Sequence, residues 1–378
     1  MTLYESKAYR ELMKSEVQRL ETESFKGKRV LITGGTGMVG SMIADILLYA
    51  DELLELDIKV CVTTRSRDKA IKRFEGCPCQ NKLMIAEWDA ADIRPGALQE
   101  ALRKAVHKNN GDDKAGTEVS AERFDYYIHC ASTTHPKAYA SNPIDTIVAN
   151  VFGLQTLLEA AAESNGSRLA FLSSVEVYGE NKTGEGDFAE KDMGYIDCNI
   201  LRAGYPEAKR VGEALCMAYA EEKGADTVIP RLARTYGPTL LSSDTKALSQ
   251  FIKKALCKED IVLKSSGTQT YSYCFSADAA SAVLYLLAKG KSNEAVNVLS
   301  PGSDISLKAL SEKLAGLSGT KVVFELPEEE EKKGYSTATR ATLSGGLLES
   351  RGFKSRYTID EGLEITMEIY RETGGYIV

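Results

Sequence analysis

Residues 30–40 read Val-Leu-Ile-Thr-Gly-Gly-Thr-Gly-Met-Val-Gly, a short apolar run that passes through clustered glycines into a second apolar stretch ending near Leu56. The first run has the length of a buried strand, and the second has the length of a helix. Another apolar strand is expected from Ile58 to Thr63. The order strand, glycine turn, helix, strand predicts a β-α-β unit in a parallel sheet.

Further strand-like segments follow this unit at 83–87, 126–130, 168–173 and 227–231, separated by helix-like segments. The alternation predicts an α/β fold with a Rossmann-type doubly wound parallel sheet. Shorter elements after residue 237 indicate a smaller, discontinuous C-terminal substrate lobe that can return a strand to the sheet. We therefore expect an N-terminal helical extension over residues 1–27. A dinucleotide-binding Rossmann domain should comprise 28–178 and 201–236, and a substrate-binding lobe should comprise 179–200 and 237–378.

Composition narrows the possible partners and compartments. The chain has 378 residues, with 47 Lys plus Arg against 54 Asp plus Glu and a net charge of -7, and it lacks a long basic run, so a nucleic-acid partner is not expected. Glycines and polar residues interrupt the most apolar stretch, 30–50, and residues 1–19 lack the apolar run of a signal peptide. We expect no membrane segment and a cytoplasmic protein. The eight cysteines and three histidines lack the paired spacing of a zinc site, so no metal is expected.

The glycine turn predicts a dinucleotide site, because glycines let backbone N–H groups approach a pyrophosphate at the helix N-terminus. The candidate cofactor residues of this turn are Gly34, Gly37, Met38, Val39 and Gly40.

The choice between NAD and NADP stays open from these residues. An NAD enzyme usually has Asp or Glu at the end of the second strand, whereas this strand leads into Thr63-Thr64-Arg65. Arg65 could pair with a 2′-phosphate, which favours NADP, or be a solvated surface side chain. Asp89, just after the strand at 83–87, is a candidate for binding the adenine amino group.

Tyr205 and Lys209 are four residues apart and so lie one turn apart on one helix face. A free tyrosine has a pKa of about 10, so a neighbouring positive charge is needed before it can act as a base at neutral pH. Some thirty residues earlier, a strand ends in Ser173-Ser174-Val175-Glu176. The Ser174 hydroxyl can bond the same substrate oxygen that Tyr205 would deprotonate.

Taken together, these motifs resemble the extended short-chain dehydrogenase/reductases that modify nucleotide sugars, in the NAD-dependent epimerase/dehydratase family. The resemblance covers residues 28 to about 287. Within the family, the sequence is most similar to UDP-glucuronate decarboxylases. It rests on the glycine turn, His129-Cys-Ala-Ser132, Pro136, Tyr139, Asn142-Pro143, Asn150, Ser173-Ser174, Glu176-Val-Tyr-Gly179, Arg202 through Lys209-Arg210, and Arg234-Thr-Tyr-Gly-Pro238.

The resemblance implies oxidation of the sugar at C4, with Tyr205 taking the hydroxyl proton while hydride passes to the nicotinamide. Lys209 would hold the ribose and keep Tyr205 ionised, Ser174 would orient the oxygen, and Asn150 would support the network. It implies a tightly bound NAD or NADP, a nucleotide-sugar substrate and a homodimer formed by the helices near Asn150 and Tyr205. The further cofactor residues that it implies are Thr64, Ala90, Ala131, Ser132, Asn150, Ser173, Tyr205 and Lys209, and the substrate residues are Tyr139, Ser174 and Arg234.

Residues after Ser174 bear on the reaction. Sugar 4,6-dehydratases carry an Asp-Glu pair there, and Val175 cannot donate the proton that the departing hydroxyl needs, so dehydration is disfavoured. Glu176 remains a candidate general acid/base at C5, which suits a decarboxylase. The alternatives are a 4-epimerase or 3/5-epimerase of the same family, and an NADP-dependent reductase of a smaller carbonyl substrate.

Two departures from the family pattern concern the substrate diphosphate. Arg234 replaces the usual Asn before Thr-Tyr-Gly-Pro, and Tyr271 stands where an Arg often follows Gln-Thr. We hypothesise that an arginine has moved from one side of the diphosphate site to the other.

Overall fold

The computed structural model describes residues 2–110, 123–132, 134, 141–181, 186–325 and 339–375. Its strands are β1 Arg29–Thr33, β2 Lys59–Thr64, β3 Leu83–Glu87, β4 Tyr126–His129, β5 Arg168–Phe171, β6 Ser173–Ser174, β7 Asp226–Leu232, β8 Arg234–Tyr236, β9 Ile261–Leu263, β10 Thr270–Tyr271, β11 Tyr273–Phe275, β12 Glu294–Val298, β13 Ile305–Ser306, β14 Val322–Phe324 and β15 Arg340–Ala341.

Helices connect most of these strands. The α-helices are α1 Lys7–Val17, α2 Thr22–Phe25, α3 Met38–Leu54, α4 Arg67–Arg73, α5 Ala97–Asn110, α6 Pro143–Ala162, α7 Gly204–Lys223, α8 Ala247–Leu256, α9 Ser276–Lys289, α10 Leu307–Ser318, α11 Gly346–Ser350 and α12 Ile359–Glu372. Short 3-10 helices lie at Leu3–Glu5, Gln80–Lys82, Val175–Tyr178 and Leu201–Ala203.

The main sheet contains seven strands in the order β3-β2-β1-β4-β5-β7-β12, and short β6 also pairs with β7. All of its pairings are parallel. β1 lies at its centre, where Val30 and Ile32 pack into one hydrophobic core and Leu31 packs into the other. Helices therefore cover both faces of the sheet, which explains why β1 is apolar at successive positions. The predicted doubly wound Rossmann sheet is confirmed.

A second region follows β7 and contains three small sheets. β10 lies between β13 and β15, β11 pairs with β8, and β14 pairs with β9. The chain nevertheless returns to the main sheet, because β12 pairs with β7 and forms its edge. The division into lobes at residue 237 stays a prediction.

The segment before β1, residues 2–25, packs into the molecule and is not one continuous helix. It comprises the 3-10 turn at Leu3–Glu5 followed by α1 and α2. The side chains of Tyr9, Met13 and Phe25 are fully buried, in the same core as α3 and α9. Ser6, the N-cap of α1, also donates to Glu372 at 2.6 Å, so the segment contacts the C-terminal helix α12.

Candidate active site

The turn between β1 and α3 has the geometry of a dinucleotide site. Gly34 has a φ of +63°, and a Cβ there would lie 2.8 Å from the Ala131 Cα, so any side chain would collide with the neighbouring strand end. Gly37 is the N-cap of α3, and Met38 and Val39 form its first turn. The N–H groups of that turn have no partner within the helix, and the bare glycine surface lets an anion approach them. These residues fit the pyrophosphate of a dinucleotide.

A hydrogen-bonded chain joins β1 to β4 beside this turn. The Ala131 N–H donates to the Thr33 hydroxyl oxygen at 3.2 Å, and that oxygen lies 2.9 Å from His129 Nδ1. His129 Nε2 lies 3.1 Å from the Ala149 carbonyl oxygen. Burial, with the nearby charge of Lys209, lowers the pKa of His129 to about 3. His129 is therefore a neutral residue that donates to Ala149 and accepts from Thr33.

Tyr205 and Ser174 lie together at the carboxyl edge of the sheet. Ser174 ends β6 and caps the following 3-10 helix, and Tyr205 lies in the first turn of α7. The two hydroxyls share a hydrogen bond. Burial raises the pKa of Tyr205 to about 12, the bond to Ser174 acts to lower it, and the negative charge of Glu176 acts to raise it. Tyr205 therefore needs more positive charge near its oxygen to ionise at neutral pH.

Lys209 lies one turn further along α7, and protein encloses its ammonium. Its Nζ donates to the Leu172 carbonyl oxygen at 2.6 Å and lies 4.6 Å from the centre of the Phe171 ring and 5.8 Å from that of Tyr205. Burial lowers the pKa of Lys209 to about 7, while the carboxylate of Glu213 and two nearby thiols act in the opposite direction. The structure thus brings together Ser174, Tyr205 and Lys209.

Asn150 lies in α6 and is fully buried. Its Nδ2 donates to the Ser132 hydroxyl at 2.9 Å and to the Thr146 carbonyl oxygen at 2.7 Å. The Asn150 Oδ1 is buried without a hydrogen-bond partner among the described residues. Buried acceptors are normally paired, so this oxygen suits a donor from a ligand or an ordered water.

Ser173 belongs to a network behind the site. Its hydroxyl donates to Glu213 Oε1 at 2.5 Å, and Arg231 donates to both oxygens of the same carboxylate at 2.9 and 2.6 Å. Arg231 also donates to the Tyr178 hydroxyl at 3.0 Å. The Ser173 side chain is thus bound within the protein. Sequence reasoning missed Glu213, although its position four residues after Lys209 on one helix face was a usable signal.

Glu176 lies among cations. Arg202 Nη2 donates to its Oε2 at 3.0 Å, and Arg234 Nη2 lies 3.7 Å from its Oε1. Burial alone would raise the pKa of Glu176, but the charges of the two arginines and of Lys246 outweigh burial and hold the pKa below its usual value. Glu176 is therefore ionised, which makes it a proton acceptor and a counter-ion rather than a ready proton donor. The contribution of Lys246 had no local signal in the sequence.

The two departures from the family pattern meet in space. The guanidinium carbon of Arg234 lies 3.7 Å from the centre of the Tyr271 ring. Arg234 belongs to β8 and Tyr271 to β10, so this stack joins the strand that continues from β7 to the small sheet β13-β10-β15. It also leaves the arginine within reach of Glu176.

The residues predicted for the adenosine end of the cofactor lie where β2 and β3 end. The Thr64 oxygen accepts from the Ser66 N–H at 3.2 Å, the Asp89 carboxylate accepts from the Ala91 N–H at 3.0 Å, and Arg65 is exposed. Ala90 is buried, and its carbonyl would lie 2.7 Å from a Cβ on Gly153, so α6 packs closely on this loop.

A cleft opens beside these residues, lined by Arg65, Glu87, Trp88, Asp89, Asp92, Arg94, Ala97, Glu100, Ala101 and Lys104. Two of its three cations are already paired, Arg94 with Asp92 at 2.6 Å and Lys104 with Glu100 at 2.5 Å. Two further carboxylates, Glu87 and Asp89, line the cleft together with Arg65.

Tyr139, predicted to bind substrate, lies outside the described residues, and its role stays a prediction. Within the part of the chain that the structure describes, no three His, Cys, Asp or Glu side chains are grouped so as to hold a metal ion. In the same part, each helix is too short or too polar to cross a membrane.

A glycine turn at the carboxyl edge of a parallel sheet, with a serine, a tyrosine and a lysine at the same edge, is typical of dinucleotide-dependent enzymes of the short-chain dehydrogenase/reductase class. The model of the NAD dependent epimerase/dehydratase family matches residues 30–298. The chain belongs to this family, as its sequence motifs indicate.

Known proteins give a consistent comparison. UDP-glucuronic acid decarboxylase 5 of Arabidopsis thaliana is 27% identical over 343 residues, which cover 91% of this chain and 89% of that protein. The UDP-glucose 4-epimerase of Thermotoga maritima superposes with a TM-score of 0.72 at 20% identity, covering 91% of this chain and 99% of that one. A dTDP-glucose 4,6-dehydratase of Streptomyces venezuelae, crystallised with NAD, superposes with a TM-score of 0.72 at 23% identity, covering 92% and 98%.

Proposed function

We propose that this protein is a nucleotide-sugar enzyme that oxidises the sugar at C4 and transforms the resulting 4-keto sugar, in the manner of a UDP-glucuronate decarboxylase. The observation that carries the proposal is the meeting of Ser174, Tyr205 and Lys209 beside the glycine turn, with Glu176 and two arginines at the adjoining substrate side. The names of the 27% identical relatives support the decarboxylase.

The chain's own residues account for the proton chemistry. Tyr205 would accept the proton of the C4 hydroxyl, and Ser174 would hold the same oxygen in place through the hydrogen bond that the two hydroxyls already share. The Lys209 ammonium, close to the Tyr205 ring, would stabilise the phenolate. A bound nicotinamide would supply the hydride acceptor at C4 and return the hydride later.

The ionised Glu176 bears on the step after C4 oxidation. Loss of carbon dioxide from C6 leaves a carbanion at C5 that must gain a proton, so the ionised Glu176 would first take a proton from solvent and then donate it to C5. A C4 epimerase is the second candidate. If Glu176 serves only to hold Arg202 and Arg234 in place, the site suits an epimerase as well as a decarboxylase.

We propose NAD as the cofactor. The family description names NAD. The cleft at the adenosine end supports this choice, because Glu87 and Asp89 line it together with Arg65 and their negative charges would repel a 2′-phosphate. Arg65, by contrast, is a residue at this end of the cofactor site that the sequence predicts to favour NADP. Mass spectrometry of the nucleotide released by denaturing the purified protein distinguishes the two, since NADP differs in mass by one phosphate.

Incubation with a panel of nucleotide sugars tests the reaction. The full chain is mixed separately with UDP-glucuronate, UDP-glucose and dTDP-glucose, and products, carbon dioxide and nicotinamide absorbance are followed. Carbon dioxide and a UDP-pentose are expected from UDP-glucuronate. Isomerised sugar alone would favour the epimerase, and stoichiometric consumption of added NADPH would contradict both. The matched control is Tyr205→Phe, which should lower turnover by about 10²- to 10⁴-fold.

Arg234 is proposed to bind the substrate diphosphate, with Tyr271 holding its guanidinium in place. Replacing Arg234 with Ala should raise KM for the nucleotide sugar about tenfold to a hundredfold, because a charge-assisted hydrogen bond is lost. Tyr271→Leu removes the ring beneath the guanidinium and should raise KM about threefold or more, whereas Tyr271→Phe keeps the ring and should change KM less. Equal effects of the Phe and Leu variants would contradict a role for stacking.

A homodimer is also proposed, through α6 and α7, which pack against each other. Large apolar side chains on their outer faces are strongly exposed, at Ile144, Ile147, Phe152, Val211 and Met217. An apolar surface of this extent on two adjacent helices is typical of a protein interface. A second copy of this chain would cover it in a four-helix contact.

Two further proposals concern organisation and location. The Rossmann domain and the discontinuous substrate lobe would have the boundaries expected from the sequence, with β12 returned to the sheet. The cytoplasm would be the compartment, since the eight cysteines are free thiols.

A further inference from the structure

Two tyrosines of the segment before β1 donate hydrogen bonds to one buried carboxylate. The Tyr4 hydroxyl donates to Asp45 Oδ1 at 2.7 Å, and the Tyr9 hydroxyl donates to Asp45 Oδ2. Asp45 lies in α3 and is fully buried, and Tyr4 and Tyr9 are 6% and 0% exposed. Burial raises the pKa of both phenols, so each remains a neutral donor. Residues 2–25 lie outside the stretch that the family model matches.

Arg73 completes the cluster from a third element. Its Nη2 donates to Asp45 Oδ2 at 2.5 Å, and its Nη1 donates to the Tyr4 hydroxyl at 2.7 Å. The Arg73 and Asp45 side chains are both 0% exposed. Hydrogen bonds to the remaining polar atoms of a buried ion pair offset part of its desolvation cost, and the Arg73 Nε is the atom of this pair left without a partner among the described residues. Tyr4 is the one residue of the cluster that bonds both charges, because it donates to the carboxylate and accepts from the guanidinium.

Arg73 is the last residue of α4, and α4 begins directly after the loop of Thr64 and Arg65, which are both predicted cofactor residues. The helix has seven residues, its N-cap is Ser66, and Thr64 and Arg65 precede it. At its first turn, Arg67 donates to the carbonyl oxygen of a residue in β3. The α4 helix thus connects the buried Arg73 at its end to the Thr64–Arg65 loop at its start.

We propose that Tyr4 is a positioning residue for the adenosine end of the cofactor, acting through Arg73 and α4 on the Thr64–Arg65 loop. The segment before β1 thereby supports the dinucleotide site from outside the stretch that the family model matches. The proposal rests on the dinucleotide site of the proposed function and is independent of which sugar the enzyme transforms.

Tyr4→Phe tests the proposal in the full chain, because it keeps the ring and removes only the hydroxyl. The cofactor-free protein is titrated calorimetrically with ADP-ribose, which carries the adenosine and pyrophosphate but no nicotinamide. We expect binding to weaken about fivefold, as the loss of one hydrogen bond allows. The ratio of affinities for ADP-ribose and its 2′-phosphate should also change, because the loop beside the 2′ position shifts.

Tyr357→Phe is the matched control. The Tyr357 hydroxyl donates to Glu16 Oε1 at 2.6 Å, so this variant also removes a buried bond to the segment before β1, but at α1 rather than α4. We expect it to lower the Tm without changing ADP-ribose affinity. Tyr9→Phe loses a bond to Asp45 but none to Arg73, so its loss of ADP-ribose affinity should be smaller than that of Tyr4→Phe and larger than that of Tyr357→Phe.

Three outcomes would count against specific parts of this scheme. Unchanged ADP-ribose affinity in Tyr4→Phe overturns the positioning role, as does an equal loss of affinity in Tyr4→Phe and Tyr357→Phe at equal loss of Tm. Failure of the unaltered protein to bind ADP-ribose overturns the dinucleotide site itself and so concerns the proposed function. The calorimetric titration, together with thermal unfolding of each variant, separates these cases without any measurement of turnover.

Discussion

At the level of single residues, Lys209 combines two opposing requirements. Its ammonium would be useful to Tyr205 only while protonated, yet burial lowers its pKa to about 7. The Leu172 carbonyl and the Phe171 ring offset part of the cost of burying the charge. The folded protein therefore holds this proton more weakly than the unfolded chain does, since the unperturbed lysine pKa is 10.5.

Replacing Lys209 with Met should change the pH dependence of stability. Between about pH 7 and pH 10 the unfolded chain holds a proton on Lys209 that the folded protein has lost, so this residue makes stability rise with pH. The unfolding free energy of the unaltered protein, minus that of Lys209→Met, should increase by about 1.4 kcal/mol per pH unit in that window. Urea denaturation of the cofactor-free proteins at several pH values measures it.

The difference between the two proteins removes the contributions of the other titrating groups, which are common to both. Parallel stability curves for the two proteins would show that Lys209 keeps an ordinary pKa in the fold. Lys209→Met should also lack turnover. A Tm near that of the unaltered protein would show that the loss of turnover is not caused by unfolding.

Residues of the site differ in how well sequence predicts them. Tyr205 and Lys209 were predictable because helical periodicity alone puts positions four apart on one face. The grouping of Arg202, Arg234 and Lys246 around Glu176 was not, because each comes from a different part of the chain and the charges meet only after folding. The same is true of the Arg234–Tyr271 stack, whose two members are individually visible as departures from a pattern.

At the level of elements, the start of α3 permits little change. A Cβ on Gly40 would lie 2.6 Å from the Gly34 carbonyl oxygen, a backbone atom that cannot move without opening the turn. Gly40→Ala should therefore weaken ADP-ribose binding severely and lower stability by about 1–3 kcal/mol, the usual range for overpacking. Calorimetry and thermal unfolding measure the two effects.

Gly316 in α10 is the control for Gly40. It is exposed in a helix interior and a Cβ would meet nothing within 4 Å. Gly316→Ala should stabilise the protein by about 0.5–1 kcal/mol, because alanine loses less backbone entropy in a helix. Similar behaviour of the two variants would mean that the turn tolerates a side chain.

The elements were predictable where one local pattern determined them. The central strands are apolar at successive positions because both faces of the sheet are covered, and this composition predicted β1, β2 and β3 to within a residue or two. The segment expected at 168–173 divides at Leu172 into β5 and β6. The apolar face of residues 2–25 was predictable from helical spacing, but the buried ion pair that it covers was not, because Asp45 and Arg73 leave no trace in the local periodicity.

At the level of the whole molecule, the exposed apolar face of α6 and α7 determines the expected assembly. Phe152, which belongs to this face, is 47% exposed. Phe152→Glu should convert a dimer into a monomer, because a carboxylate buried in an apolar interface without a partner is unfavourable. Light scattering coupled to size exclusion measures the mass against that of a single 41.2 kDa chain.

Phe324 provides the comparison for this experiment, since it is 54% exposed in β14, outside α6 and α7. Phe324→Glu should leave the mass unchanged. A monomeric unaltered protein, or a dimer that persists in Phe152→Glu, would contradict the proposed interface.

The contacts of α1 with the C-terminal region also govern when the molecule can finish folding during synthesis. Ser6 bonds Glu372 across 366 positions, and Glu16 bonds Tyr357 across 341. These bonds cannot form until residues 357 and 372 have left the ribosome, so the Rossmann strands emerge while α1 still lacks its C-terminal partners. Until then α1 can pack on α3 but not on α12, and the emergence of residue 372 becomes the step that closes the fold.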